Sequence, residues 1–149
     1  MKLIFTITTF LILTLNCFSQ NDTLNLTKVQ IEKSTKVVNY WIEELFKGED
    51  IEGLLKVSEV PFALDRKRVL KSTEELKAIY NKIIESKGKR KVPNYTTEIF
   101  EYKEEIIDNC IAISVIKAKV ITTRNNEREG ILVSVLYKND EYKIIGFSD

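Results

Sequence analysis

Apolar residues recur every three to four positions in two early stretches of the chain, and from Val92 onward they alternate every second position. The first helical stretch opens at Thr27. Gln30 stands three residues on, as in a capping box, and Leu26 and Ile31 sit at the positions of a hydrophobic staple. Val37, Val38, Trp41, Ile42, Leu45 and Phe46 follow at helical spacing, and Gly48 supplies a stop. Asp50 is suited to cap a second, shorter helix with Ile51, Leu54 and Leu55 on one face; Gly53 weakens it slightly. Val60 to Leu64 favours a strand. Pro61 inside it predicts an edge or a strand start, because proline has no N–H to give to a ladder. Asp65 to Arg68 is a predicted turn and Val69-Leu70 a short return strand. Ser72 and Glu75 form a second capping box, heading a helix whose apolar stripe is Leu76, Ile79, Tyr80, Ile83 and Ile84, with Gly88 just past its end.

The alternating part predicts four strands: Tyr95 to Tyr102, Asp108 to Thr123, Gly130 to Lys138 and Glu141 to Phe147. Asn139-Asp140 suits a two-residue hairpin turn, since both residues tolerate positive φ. Arg124 to Glu129 is expected to be a longer polar connection. In the longest strand Ile111, Ile113 and Val115 share one face, and Ile116, Ala118 and Val120 share the other. Such a switch implies a bulge or burial on both sides.

Ahead of these elements Lys2 precedes an apolar run from Leu3 to Leu15, and Cys17-Phe18-Ser19 places small residues three and one before a cut. Basic start, short apolar core and small-residue exit predict a signal peptide over residues 1–19, cleaved before Gln20. The run is shorter than the roughly 20 residues a spanning helix needs. An uncleaved anchor is the competing reading. The expectation is therefore an exported protein, periplasmic or extracellular, with a polar leader over 20–26, one domain over 27–149 and no transmembrane segment after cleavage. Cys17 could instead accept a lipid, but Thr14-Leu15-Asn16 fits a lipobox poorly, because that motif wants a branched aliphatic residue three before the cysteine.

Composition narrows the function classes. The chain has 23 Lys and Arg against 22 Asp and Glu, and the leader removes one base, Lys2. No basic excess is left for a nucleic-acid partner. A chain that is 30% charged and 44% hydrophobic is an ordinary folded domain. Cleavage leaves Cys110 as the one thiol, so no intrachain disulfide forms. There is no histidine, which removes the usual serine-hydrolase triad and the usual zinc ligand sets. The five glycines are scattered singly, so there is no phosphate-binding glycine loop. No metal or cofactor is expected. Two basic clusters remain, Arg66-Lys67-Arg68 and Lys87-Gly88-Lys89-Arg90-Lys91; a solvated loop is the plain expectation for the second and an anion-binding surface the alternative.

Helix, short helix, small hairpin, helix and then long strands resembles the cone-shaped α+β fold of the nuclear transport factor 2-like (SnoaL-like) superfamily. Trp41-Ile42-Glu43-Glu44-Leu45-Phe46-Lys47-Gly48 through Leu55 looks like its first-helix end, glycine turn and second helix. Val60-Pro61-Phe62-Ala63-Leu64 looks like its first strand, Ser72-Thr73-Glu74-Glu75-Leu76 like the opening of its third helix, and Asn139 to Phe147 like its final hairpin. The resemblance implies three N-terminal helices packed on a curved antiparallel sheet, with a pocket between sheet and helices. It also implies a choice of functions, because this fold hosts isomerases, cyclases, binding domains and dimerisation modules.

Relatives resembling ketosteroid isomerase use a buried Asp base with a Tyr and a protonated acid as oxyanion donors. Asp65, Glu98 and Asp108, with Tyr40, Tyr80 and Tyr102, are the groups available here, and none aligns with a catalytic motif. Strand ends and turns account for the carboxylates, and a buried inert thiol accounts for Cys110. Trp41 shares a stripe with Val37 and Leu45 and is expected in the core. Tyr40, Trp41, Phe62, Tyr80, Phe100 and Tyr102 are the candidates for lining a ligand pocket. The expectation is an exported non-enzymatic module that binds a small apolar ligand or pairs with another copy through its sheet. A small isomerase- or cyclase-like enzyme with a carboxylate base in the pocket is the alternative.

Overall fold

The computed structural model describes residues 26–65, 67–88, 90–107, 111–124 and 127–149, with the side chains of 87, 103–107, 111–113, 124 and 127 left aside. The leader, its cleavage point, Cys17, Asp108 and Cys110 lie outside the described residues.

Helix α1 runs Lys28–Lys47. Its cap is the predicted box: Thr27 Oγ1 accepts from Gln30 N at 3.2 Å, and Gln30 Oε1 accepts from Thr27 N at 2.8 Å. Gly48 ends it at φ +65°, in the left-handed region, where its missing side chain also leaves room for Ile84; a Cβ there would lie 2.7 Å from Ile84 Cγ2. Helix α2 spans Ile51–Lys56 and is capped by Asp50, which accepts from Gly53 N at 2.7 Å. Strands β1 (Ser58–Leu64) and β2 (Arg68–Leu70) form the small hairpin. Helix α3 covers Thr73–Lys87. Ser72 caps it as expected, but the Glu75 carboxylate reaches back to Lys71 N, at 2.7 Å, rather than to the cap residue's own N–H.

Strands β3 (Asn94–Ile107), β4 (Ile111–Arg124), β5 (Glu127–Lys138) and β6 (Glu141–Ser148) make an antiparallel meander. The six strands form one curved sheet in the order β2-β1-β6-β5-β4-β3. The sheet is mixed rather than wholly antiparallel, because β1 lies parallel to β6. Pro61 consequently sits in a strand with neighbours on both sides. The lost N–H is accommodated because β2 pairs only with Phe62 to Leu64 and the β6 ladder is interrupted between Ser58 and Ala63. Much of the expected polar connection is also strand: β4 reaches Arg124 and β5 starts at Glu127, and the two residues pair. Ladder bonds between backbones need no apolar side chains, so polarity did not mark a loop here. Asn139 and Asp140 turn β5 into β6 at φ +51° and +62°, as predicted.

Two bulges shape the sheet. Phe100 is inserted between Ile99↔Ala118 and Glu101↔Lys117, and Ile145 between Ile144↔Val135 and Gly146↔Ser134. Each changes the parity of its strand and bends it. Strand β4 keeps an unbroken register with β5. Its apparent change of face is two-sided burial: Ile116, Ala118 and Val120 face the helices, while Val115, 1% exposed, lies on the other side opposite buried Leu136. The main core is Val38, Trp41 and Ile42 of α1 and Leu76 and Tyr80 of α3 against the inner face of the sheet.

Candidate functional site

Places that could bind something include the space between helices and sheet, the outer face of the sheet, and the end of the sheet beside the C-terminus of α1. The first is closed. Trp41, Phe62 and Tyr80 fill it and are each 0% exposed. Trp41 and Phe62 both pack against Phe147, with ring centres 5.2 and 6.1 Å away, and Phe62 meets Tyr80 edge-on at 6.1 Å.

The polar atoms in this cluster satisfy one another. Trp41 Nε1 donates to the Tyr80 hydroxyl at 2.9 Å. Ser58 Oγ donates to the Leu54 carbonyl at 2.7 Å and lies 2.7 Å from the Tyr80 oxygen. Since Ser58 has a single proton and gives it to Leu54, Tyr80 must be the donor in the bond between them. The chain runs one way, Trp41 to Tyr80 to Ser58 to Leu54, and joins α1, α3, β1 and α2. Burial pushes the Tyr80 phenol up to about 12, against the pull of its bonds to Ser58 and Trp41. Among the described residues the buried polar side chains are Ser34 and Thr122. Neither is a carboxylate.

Of the six candidate lining residues, the structure brings Trp41, Phe62 and Tyr80 together as packing. Tyr102 packs against this core from β3 and donates to Ser114 Oγ at 3.1 Å. Tyr40 and Phe100 lie elsewhere. Tyr40 follows its own 100° step round α1 to the surface, 38% exposed, with its hydroxyl 3.3 Å from Asp50 Oδ2. Phe100 and Tyr102 share a parity in sequence, but the bulge at Phe100 parts them and leaves Phe100 on the outer face, 44% exposed. Asp65 occupies the turn after β1 at φ +48°, and Glu98 is exposed on β3.

A polar link between α1 and the edge strand was not anticipated. Tyr95 donates to Glu43 Oε1 at 2.6 Å and Thr97 to Asn39 Oδ1 at 2.6 Å. The phenol's hydrogen bond holds Glu43 below the usual carboxylate range, and burial together with that carboxylate raises Tyr95 to about 12. Glu43 also meets Lys47 at 3.5 Å. The i,i+4 spacing of Asn39 and Glu43, matched to the two-residue spacing of Thr97 and Tyr95, was the available signal.

The outer face carries a groove of 460 Å³ lined by Phe100, Glu101, Lys117, Lys119 and Leu132, among others. Glu98 and Glu101 on β3 stand opposite Lys119 and Lys117 on β4. At the end of the sheet a cavity of 630 Å³ lies among Phe46, Arg90 to Asn94, Thr122, Thr123 and Glu129. No helix among the described residues is long and apolar enough to cross a membrane.

Compared by sequence, the chain matches no protein-family model and no curated protein. Its similarity is to solved structures. A protein of unknown function with a cystatin-like fold from Nostoc punctiforme PCC 73102 superposes with TM-score 0.52 at 13% identity, covering 84% of this chain and 92% of that one. An NTF-2 like protein of unknown function from Shewanella oneidensis MR-1 gives TM-score 0.51 at 13% identity over 80% of this chain and 98% of that one. A structure designated Rd1NTF2_05 with long sheet gives 0.51 at 12% identity, covering 80% and 94%. With helices capped and stacked as described on a curved six-stranded sheet, and with these neighbours, the chain has the nuclear transport factor 2-like fold.

Proposed function

We propose that the protein is an exported, non-enzymatic interaction module that pairs with a second copy of itself across the outer face of its sheet. The observation that carries this is the filled interior: Trp41, Phe62 and Tyr80 occupy the space between helices and sheet with no accessible surface. The isomerase- or cyclase-like alternative needs a carboxylate inside that space, and among the described residues the buried polar side chains, Ser34 and Thr122, supply no such base. A small apolar ligand likewise finds no room beside the aromatic cluster.

The outer face offers what the interior lacks. Phe100 is an exposed aromatic anchor beside Leu132. Around it the acids lie on one strand and the bases on the next, Glu98 and Glu101 against Lys119 and Lys117. A two-fold axis passing between β3 and β4 lays the acids of one copy over the bases of the other, which is the self-complementarity an isologous contact requires. Export rests on the leader pattern over 1–19; an intact mass of the exported protein beginning at Gln20 supports it, and a retained leader or an acylated Cys17 replaces it.

Light scattering on the exported protein tests the pairing. The expected result is a dimer mass that Phe100→Asp reduces to a monomer while the circular dichroism spectrum is unchanged. A wild-type monomer at the highest soluble concentration, or a dimer indifferent to Phe100→Asp, overturns the proposal.

A further inference from the structure

The basic segment that follows α3 has a second role open to it. We propose that the cavity beside the C-terminus of α1 is a binding site for a small organic anion, a singly charged head group, such as a carboxylate, on a short apolar body. This goes beyond the pairing described above and uses a different surface.

The connection from α3 to β3 is held in place over this cavity: Arg90 N donates to the Phe46 carbonyl at 3.1 Å. That bond takes up one of the carbonyls left over at the helix end, where partial negative charge would otherwise face the cavity. It also sets Arg90 and Lys91 at the rim. Phe46 and Val92 supply apolar surface, and β4 contributes Thr122, which shares the face of Val120. Thr122 is 5% exposed and donates only a long bond, 3.5 Å, to the Glu129 carbonyl. A hydroxyl so placed can turn to a ligand at little cost.

The chemistry follows from this lining. Arg90 and Lys91 with the Thr122 hydroxyl select an anion. Glu129, the carboxylate among the described lining residues, opposes a multiply charged ligand, so a monoanion suits better than a polyphosphate. The apolar surface asks for hydrocarbon behind the head group. At 630 Å³ the cavity falls in the size range, roughly 300–1,000 Å³, of small-molecule sites.

Amide chemical shifts on titration with octanoate, octanol and inorganic phosphate test this directly. Octanoate is expected to move the amides of residues 90–92, 94, 122, 123 and 129, and to bind about tenfold or more tightly than either octanol or phosphate, since only octanoate offers both charge and hydrocarbon. Arg90→Gln with Lys91→Gln should weaken octanoate to the level of octanol, and Phe100→Asp should leave octanoate binding unchanged whatever it does to the oligomer. Octanol binding as tightly as octanoate, phosphate binding as tightly as octanoate, or shifts confined to the outer-face groove would each overturn the assignment. The three-probe comparison is made on the wild-type protein, so it decides the matter even if the double variant does not fold.

Discussion

Strand β4 presents two faces that have taken different paths. Toward the helices it shows Ile116, Ala118 and Val120, none with exposed surface. Toward the outside it shows Lys117 and Lys119, opposite Glu101 and Glu98. This chain has filled the middle of the inner side with aromatic rings and carries charges, an exposed phenylalanine and a groove on the outer one. The aromatic cluster on the inner face contributes to stability, and the exposed positions of the outer face are the surface that the proposed pairing uses. Substitutions should therefore separate: changes at the buried inner-face positions cost folding free energy, and changes at exposed outer-face positions such as Phe100 and Lys119 alter association alone.

The largest effect should come from emptying the interior. Trp41→Ala removes the biggest fully buried side chain, together with its contact to Phe147 and its bond to Tyr80. A loss of about 3–5 kcal/mol in urea unfolding is expected. A loss below about 1 kcal/mol would mean that the interior is loosely filled and could admit a ligand after all.

Alkali should weaken the same region. The Tyr80 phenol titrates near 10.0 when unfolded and is pushed up to about 12 when folded. Its contribution is complete below pH 10 and is lost as pH rises toward 12, because there the unfolded chain sheds a proton the folded one keeps. That shift corresponds to about 2–3 kcal/mol. Tyr95 moves in the same direction. Urea midpoints measured from pH 9 upward should fall steeply, and Tyr80→Phe should flatten the fall.

At neutral pH Tyr80→Phe should cost about 1–3 kcal/mol, because it leaves the Trp41 N–H buried without its acceptor. Replacing Trp41 by Phe in the same variant should recover part of that loss by removing the orphaned donor; if the second change adds a full further loss, the hydrogen-bonded chain does not couple the two residues. Smallest of all, Phe100→Asp should change stability by no more than about 0.5 kcal/mol, since its ring is on the surface. A larger drop would mean that the bulge itself depends on the phenyl ring.

Much of the fold was legible because it depends on neighbours in sequence. Thr27 with Gln30, Asp50 with Gly53, and Asn139 with Asp140 meet their partners within a few residues, and each appears where the pattern placed it. The helical stripes located Trp41 and Tyr80 in the core. The candidate site was legible only in part. Six aromatic residues could be named, but which of them face the interior depends on two bulges and one helical step. Phe100 and Tyr102 share a parity in sequence, and one inserted residue separates them in the sheet.

By itself, then, the sequence determined the elements, their caps and the helical faces that are buried, since these follow from side-chain spacing and from hydrogen bonds between near neighbours. Tertiary structure decided that β1 runs parallel to β6 and that Phe100 points outward. It also decided that Trp41, Tyr80, Ser58 and Leu54 join in one buried chain. Those features bring together residues from separate elements, and such pairings are fixed by how layers pack and where a strand bulges, which no local pattern of apolar and polar positions encodes.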